Sequence, residues 1–131
     1  MKRRTGFVLA VMFSLGAAAM ASDGHSDWLK KVGEKDRVRV NPLAGDDSAI
    51  AAGAQVFGQH CASCHGETAE GIGRRPSLRT ARVRDASDGE LQWLLRNGSL
   101  AHGMPAWSGL PEVQRWQLVR YLHALPLAES N

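Results

Sequence analysis

The sequence predicts an all-α fold of three main helices preceded by an extended N-terminal arm. Apolar residues recur at helical spacing in three separate stretches, each opened or closed by residues suited to helix ends. No stretch alternates apolar and polar residues as a half-buried strand does. The segments between the helices, 66–84 and 99–110, are punctuated by glycine and proline and are predicted to be loops. With 131 residues the chain has room for one small domain, whose modest core gains from any staple or cofactor.

In chain order, Met1-Lys2-Arg3-Arg4 comes first, followed by an uncharged apolar stretch that ends in Ala19-Met20-Ala21. A basic start, a short apolar run and a small-x-small end form the pattern of a secretory signal peptide over residues 1–21. The apolar run, about 15 residues, falls short of the roughly 18 to 20 that cross a bilayer core, so cleavage before Ser22 is expected rather than a retained anchor. No stable membrane insertion is expected after cleavage. Loss of Lys2, Arg3 and Arg4 lowers the 16 basic residues by three, level with the 13 acidic ones. The basicity thus belongs to the signal, and whole-chain charge calls for no nucleic-acid partner.

Residues 22–46 form the arm, charged and weakly periodic, with a short helical turn expected near Trp28. The main domain is assigned to residues 47–131. Its first helix starts at Asp46-Asp47-Ser48, where capping side chains precede Ala49 and acids sit at the positive helix end. Ile50, Gly53, Phe57 and His60 fall close to one face. Gly53 costs that helix about 1 kcal/mol relative to alanine, which makes sense if another helix crosses at close range. The second helix opens at Ser87-Asp88-Gly89-Glu90, a Ser-x-x-Glu capping box, and stops near Asn97-Gly98. The last begins at Pro111-Glu112, where a proline lacking its N–H does no harm. Leu118, Tyr121, Leu122 and Leu125 then form its apolar stripe before Pro126.

The chemistry lies in Cys61-Ala62-Ser63-Cys64-His65. A Cys-x-x-Cys-His run is the signature of covalent haem attachment. Two thiols three positions apart can form thioethers to the two vinyl groups of one porphyrin, and the next residue, His65, then supplies the proximal imidazole to the iron. Other readings compete. A disulfide between these two cysteines would close a very short loop and contribute little loop-closure entropy. A redox dithiol would want a helix N-terminus in a βαβ setting, whereas here the motif follows a helical pattern. A zinc site would need a second ligand cluster.

This order of elements, with the Cys-x-x-Cys-His run just after the first helix and Gly103-Met104-Pro105-Ala106-Trp107 before the last, resembles the small single-haem class I cytochromes c. The resemblance covers residues 48–125 and includes Gly53 and Phe57, eight and four positions before Cys61. It implies a cytochrome c fold, three main helices around one covalently bound haem c, with the first helix crossing the last at Gly53 and Phe57 against Leu118 and Tyr121. It also implies Met104 as the distal iron ligand, a soft thioether that raises the reduction potential when paired with imidazole. His102 is the rival distal ligand. Pro76 resembles the family proline whose carbonyl accepts the second ring N–H of the proximal histidine.

His60 and His123 are expected to be ordinary surface or partly buried side chains, and Trp107 and Trp116 haem-wall or core residues. Arg74, Arg75, Arg79, Arg82 and Arg84 form a run without an acid among them. The run is expected to be a solvated loop, or to pair with a haem propionate through Arg75 or Arg79, or to steer an acidic partner. The resulting expectation is an exported, periplasmic single-electron carrier, not an enzyme. It would accept electrons from a periplasmic dehydrogenase, including a quinone-dependent one, and pass them to a terminal oxidase or another cytochrome. The alternative is a haem protein with a labile sixth site that senses a ligand or performs catalysis.

Overall fold

The computed structural model describes residues 27–129. The expected signal peptide, 1–21, and the first residues of the arm lie outside the described residues. Six helices follow in order: α1 (Glu34–Arg37), α2 (Ser48–His60), α3 (Ala62–His65), α4 (Ala81–Asp85), α5 (Asp88–Asn97) and α6 (Glu112–Ala124). Single 3-10 turns occupy Trp28–Lys31 and Leu100–His102. Among the described residues there is no strand, only isolated bridges at Ile72–Arg75 and Ser99–Met104. The fold is all-α.

The core forms where α2 lies against α6. A Cβ at Gly53 would stand 2.1 Å from the Gln117 carbonyl oxygen and 2.9 Å from Tyr121 Cβ. Only glycine permits this approach, which accounts for a residue that weakens its own helix. One turn on, the Phe57 and Tyr121 rings meet at 5.1 Å between centroids, with Leu118 and Val119 fully buried beside them. The start of α2 is capped one residue earlier than the helix boundary suggests. Asp46, not Asp47, accepts from the Ser48 backbone N–H (2.9 Å) and hydroxyl (2.6 Å).

The α5 start carries the expected capping box. Ser87 Oγ accepts from Glu90 N–H at 3.2 Å, and the Glu90 carboxylate accepts from Ser87 N–H at 2.7 Å. Gly98 closes the helix at φ 69°, its N–H donating to the Leu94 carbonyl at 2.7 Å. Within the segment expected to be a loop, Ala81–Asp85 is helical. Thr80 caps it by accepting from Val83 N–H, a start signal masked by the surrounding arginines.

From Asp27 to Asp46 the arm is packed onto the domain. Trp28 and Val32 are buried in the core, and Arg37 pairs with Glu90, the capping carboxylate of α5. Asn41, only 2% exposed, donates from Nδ2 to the Trp116 carbonyl at 2.9 Å, and its own N–H reaches Asp88 at 3.0 Å. A Cβ at Gly89 would stand 1.9 Å from the Asp36 carbonyl oxygen. The arm thus ties α5 to α6, and α5 supplies one wall of the site.

Candidate haem site

Helix α2 delivers the chain into α3, a single turn that holds Cys64 and His65 with Cys61 as its N-cap. Gly66 follows at φ 83° and turns the chain away, so that the His65 carbonyl accepts from Gly71 N–H at 2.7 Å. The return loop brings the Pro76 carbonyl to 3.0 Å from His65 Nδ1. A carbonyl can only accept, so Nδ1 carries the proton and Nε2 keeps its lone pair for a metal. The same loop crowds Gly71, where a Cβ would meet the Arg75 carbonyl oxygen at 2.5 Å.

Across α5, residues 98–110 form the second loop. Ser99 and Met104 exchange backbone hydrogen bonds (2.9 and 3.2 Å) and so fold the loop back on itself. A Cβ at Gly98 would lie 2.6 Å from the Pro105 carbonyl, so the fold-back is tight. Gly103 turns it at φ 80°. Met104 is partly buried against the core.

Between the two loops lies a cavity of about 440 Å³, a volume in the range of cofactor sites. Cys61, Cys64, His65 and Met104 all line it, as do Leu78, Leu91, Leu94, Leu95, Leu118 and Leu122. Two thiols, an imidazole and a thioether around an apolar chamber are the donor set and the surroundings that a covalently held iron porphyrin needs, so the residues present fit the group. Cys61 and Cys64 are not joined in a disulfide. Burial, reinforced by Cys64, pushes the Cys61 thiol up to about 11. A redox dithiol needs a readily ionised cysteine; a buried thioether sulfur, which carries no proton to lose, suits this environment better. Among the described residues no group of three or more His, Cys, Asp or Glu side chains could hold a bare metal ion, which leaves the zinc reading without a ligand cluster.

The remaining candidates from the sequence take the following places. His60 lines the cavity and packs on Trp107, 5.3 Å between ring centroids. Its neighbour Cys61 carried the signal, but the loop contact is tertiary and invisible in the sequence. His123 reaches the Ala86 carbonyl (3.0 Å) and Asp88 (3.3 Å), joining α6 to α5. His102 lines the cavity with Nδ1 3.1 Å from Ser99 Oγ. The arginine run divides. Arg79 pairs with Glu70 and the Pro126 carbonyl, Arg82 with Asp27, and Arg84 with Asp85. Arg74 and Arg75 line the cavity, and Arg75 donates to Cys64 Sγ. Sequence reasoning missed Arg115, buried beneath the Met104 loop, because an arginine on a helix is usually solvated.

A helical fold closed around an apolar chamber with a Cys-x-x-Cys-His run on its wall defines a c-type cytochrome. Residues 48–122, more than half of the chain, match the family model described as cytochrome C oxidase, cbb3-type, subunit III, and the chain belongs to that family. Its cofactor is haem c, and its chemistry is haem-based electron transfer. Among relatives, the dehydrogenase subunit of the alcohol dehydrogenase (quinone) of Komagataeibacter europaeus is 34% identical over 92 residues, covering 70% of this chain and 12% of that protein. The Cbb3-type cytochrome c oxidase subunit CcoP of Azospirillum sp. (strain B510) is 32% identical over 95 residues, covering 66% of this chain and 32% of that one. The chain therefore spans a third or less of these relatives. Among solved structures, cytochrome CL of the marine methylotrophic bacterium Methylophaga aminisulfidivorans MPT superposes with a TM-score of 0.54 at 26% identity, over 63% of this chain and 59% of that one. No helix among the described residues is long and apolar enough to cross a membrane.

Proposed function

We propose that this chain is a periplasmic single-electron carrier whose haem is held through thioethers to Cys61 and Cys64, with His65 and Met104 as axial ligands. The observation that carries the reading is the His65 ring, fixed by the Pro76 carbonyl at 3.0 Å, in the same apolar chamber as the Met104 thioether. Bound there, the haem supplies a one-electron couple. The chain's own residues hold the ligands and keep water out. Pro76 orients the His65 ring and raises its basicity. The Ser99–Met104 pairing and Pro105 limit the freedom of the loop that presents the sulfur. Leucines from α5 and α6 exclude water, so one ligand set can serve both oxidation states with little reorganisation.

Electrons are passed on through brief contacts, which use small, weak interfaces. The donor is a periplasmic dehydrogenase, a quinone-dependent one included, and the acceptor a terminal oxidase or another cytochrome. The likeness to a subunit of a quinone-dependent alcohol dehydrogenase and to an oxidase subunit supports partners of these two kinds. Arg74 and Arg75, exposed beside Cys64 and without a carboxylate partner among the described residues, supply charge for steering an acidic surface. Stopped-flow mixing of the oxidised protein with a reduced periplasmic quinone-dependent dehydrogenase tests the proposal. Reduction at a rate that falls as salt rises is expected. Absence of reduction by any such enzyme would sink this choice of donor.

A further inference from the structure

Arg115 is 8% exposed and, among the described residues, has no carboxylate within ion-pair distance. A buried guanidinium without an acid has to be compensated by dipoles. They come from one stretch of chain. Its Nη1 donates to the backbone carbonyls of Trp107 (3.4 Å), Ser108 (3.3 Å) and Leu110. On the other side Nε donates to Gln92 Oε1 at 2.8 Å. Gln92 is itself 1% exposed, and its amide nitrogen finds no partner, so the amide is held by the bond its oxygen accepts from Arg115. The Trp107 N–H is bonded as well, to the Leu95 carbonyl at 2.8 Å.

These bonds have a mechanical consequence for the loop of residues 98–110. Met104 lies between two anchors, its pairing with Ser99 on one side and the Arg115 carbonyl cluster on the other. To swing Met104 away, the loop must either strain at Pro105 or withdraw carbonyls from a buried charge that keeps Gln92 Oε1 as its remaining hydrogen-bond acceptor. The second route leaves a buried cation under-compensated.

We propose that Arg115, oriented by Gln92, is the positioning residue that holds the Met104 loop closed and so restricts the sixth iron site to its own sulfur. The proposal rests on Met104 being the distal ligand. Arg115 touches neither haem nor substrate; it acts through the loop backbone. Imidazole, which binds ferric iron only after displacing the resident ligand, reads the cost of opening directly.

The test is imidazole titration of the oxidised holoprotein, comparing Arg115→Met, Arg115→Lys and Gln92→Met with Asn41→Ala, which removes the arm's bond to the Trp116 carbonyl and leaves the carbonyls of residues 107, 108 and 110 bonded to Arg115. Arg115→Met should bind imidazole at least about tenfold more tightly than the parent, the factor that a hydrogen bond to a charged group commands. Arg115→Lys should recover part of the difference and Gln92→Met should fall between. Asn41→Ala should lower the unfolding midpoint without altering imidazole affinity. If Arg115→Met yields no holoprotein, Gln92→Met and Arg115→Lys carry the comparison. An affinity within about twofold of the parent for the Arg115 and Gln92 variants, or an equal gain in Asn41→Ala, overturns the proposal. Met104→Ala separates the two levels. If its imidazole affinity and far-red absorption match the parent, the ligand assignment itself fails, whatever the Arg115 variants do.

Discussion

His65 shows how far a single hydrogen bond can reach. Its Nδ1–H donates to a carbonyl whose position is set by Pro76, a residue with one soft backbone angle instead of two. Pro76→Gly keeps that carbonyl but frees it, so the bond should be made less of the time and the imidazole should become a weaker donor to ferric iron. Voltammetry should then find a higher reduction potential than in the parent; an unchanged potential would deny Pro76 any part in tuning. Surface charges behave differently. Arg39 hydrogen-bonds Glu112 and holds its carboxyl below the usual carboxylate range, but Glu112 is half exposed. A lowered folded-state pKa contributes stability that is present above the unfolded value and is lost as pH falls through the folded one. Glu112→Gln should therefore cost under about 1 kcal/mol near neutral pH, and the difference should vanish in acid, as urea unfolding at the two conditions would show. At this scale the sequence was informative about the ligand candidates, because chemistry restricts which side chains hold haem. It was silent about Arg115 and His60, whose surroundings come from residues far along the chain.

Among the elements, the contact between α2 and α6 does most to shape the site. Gly53→Ala would drive a methyl group into the Gln117 carbonyl, and the helices would have to part. Overpacking of this kind costs about 1–3 kcal/mol, against a gain of roughly 1 kcal/mol in helix propensity, so a net loss of stability is expected in guanidinium unfolding of the holoprotein. A variant as stable as the parent would contradict so close a crossing. The three main helices were legible because each carries its own start and stop signals: Ser87 with Glu90, Gly98, and Pro111. Helix α4 was not, since five residues give too little periodicity to outweigh a cluster of arginines. The arm was legible only as charged and aperiodic. Its packing depends on Trp28, Arg37 and Asn41 finding Glu90, Asp88 and the Trp116 carbonyl, partners roughly 50 to 75 positions away whose approach no local pattern encodes.

At the scale of the domain, the fold supplies an apolar chamber, two loops that bring ligands to it, and an arm that ties together the helices of its wall. Class membership follows from the chamber and its motif. The partner does not, because an encounter surface made for brief contact carries no motif, only charge and exposure. The central claim is that His65 and Met104 together define the iron's coordination. The most direct measurement is the absorption spectrum of the oxidised holoprotein beside that of Met104→Ala, each followed by carbon monoxide addition after reduction. The account predicts a far-red sulfur-to-iron band in the parent and none in the variant, with carbon monoxide binding readily only to the variant. A band that survives the substitution, or a parent protein that takes up carbon monoxide as readily as Met104→Ala, would contradict it.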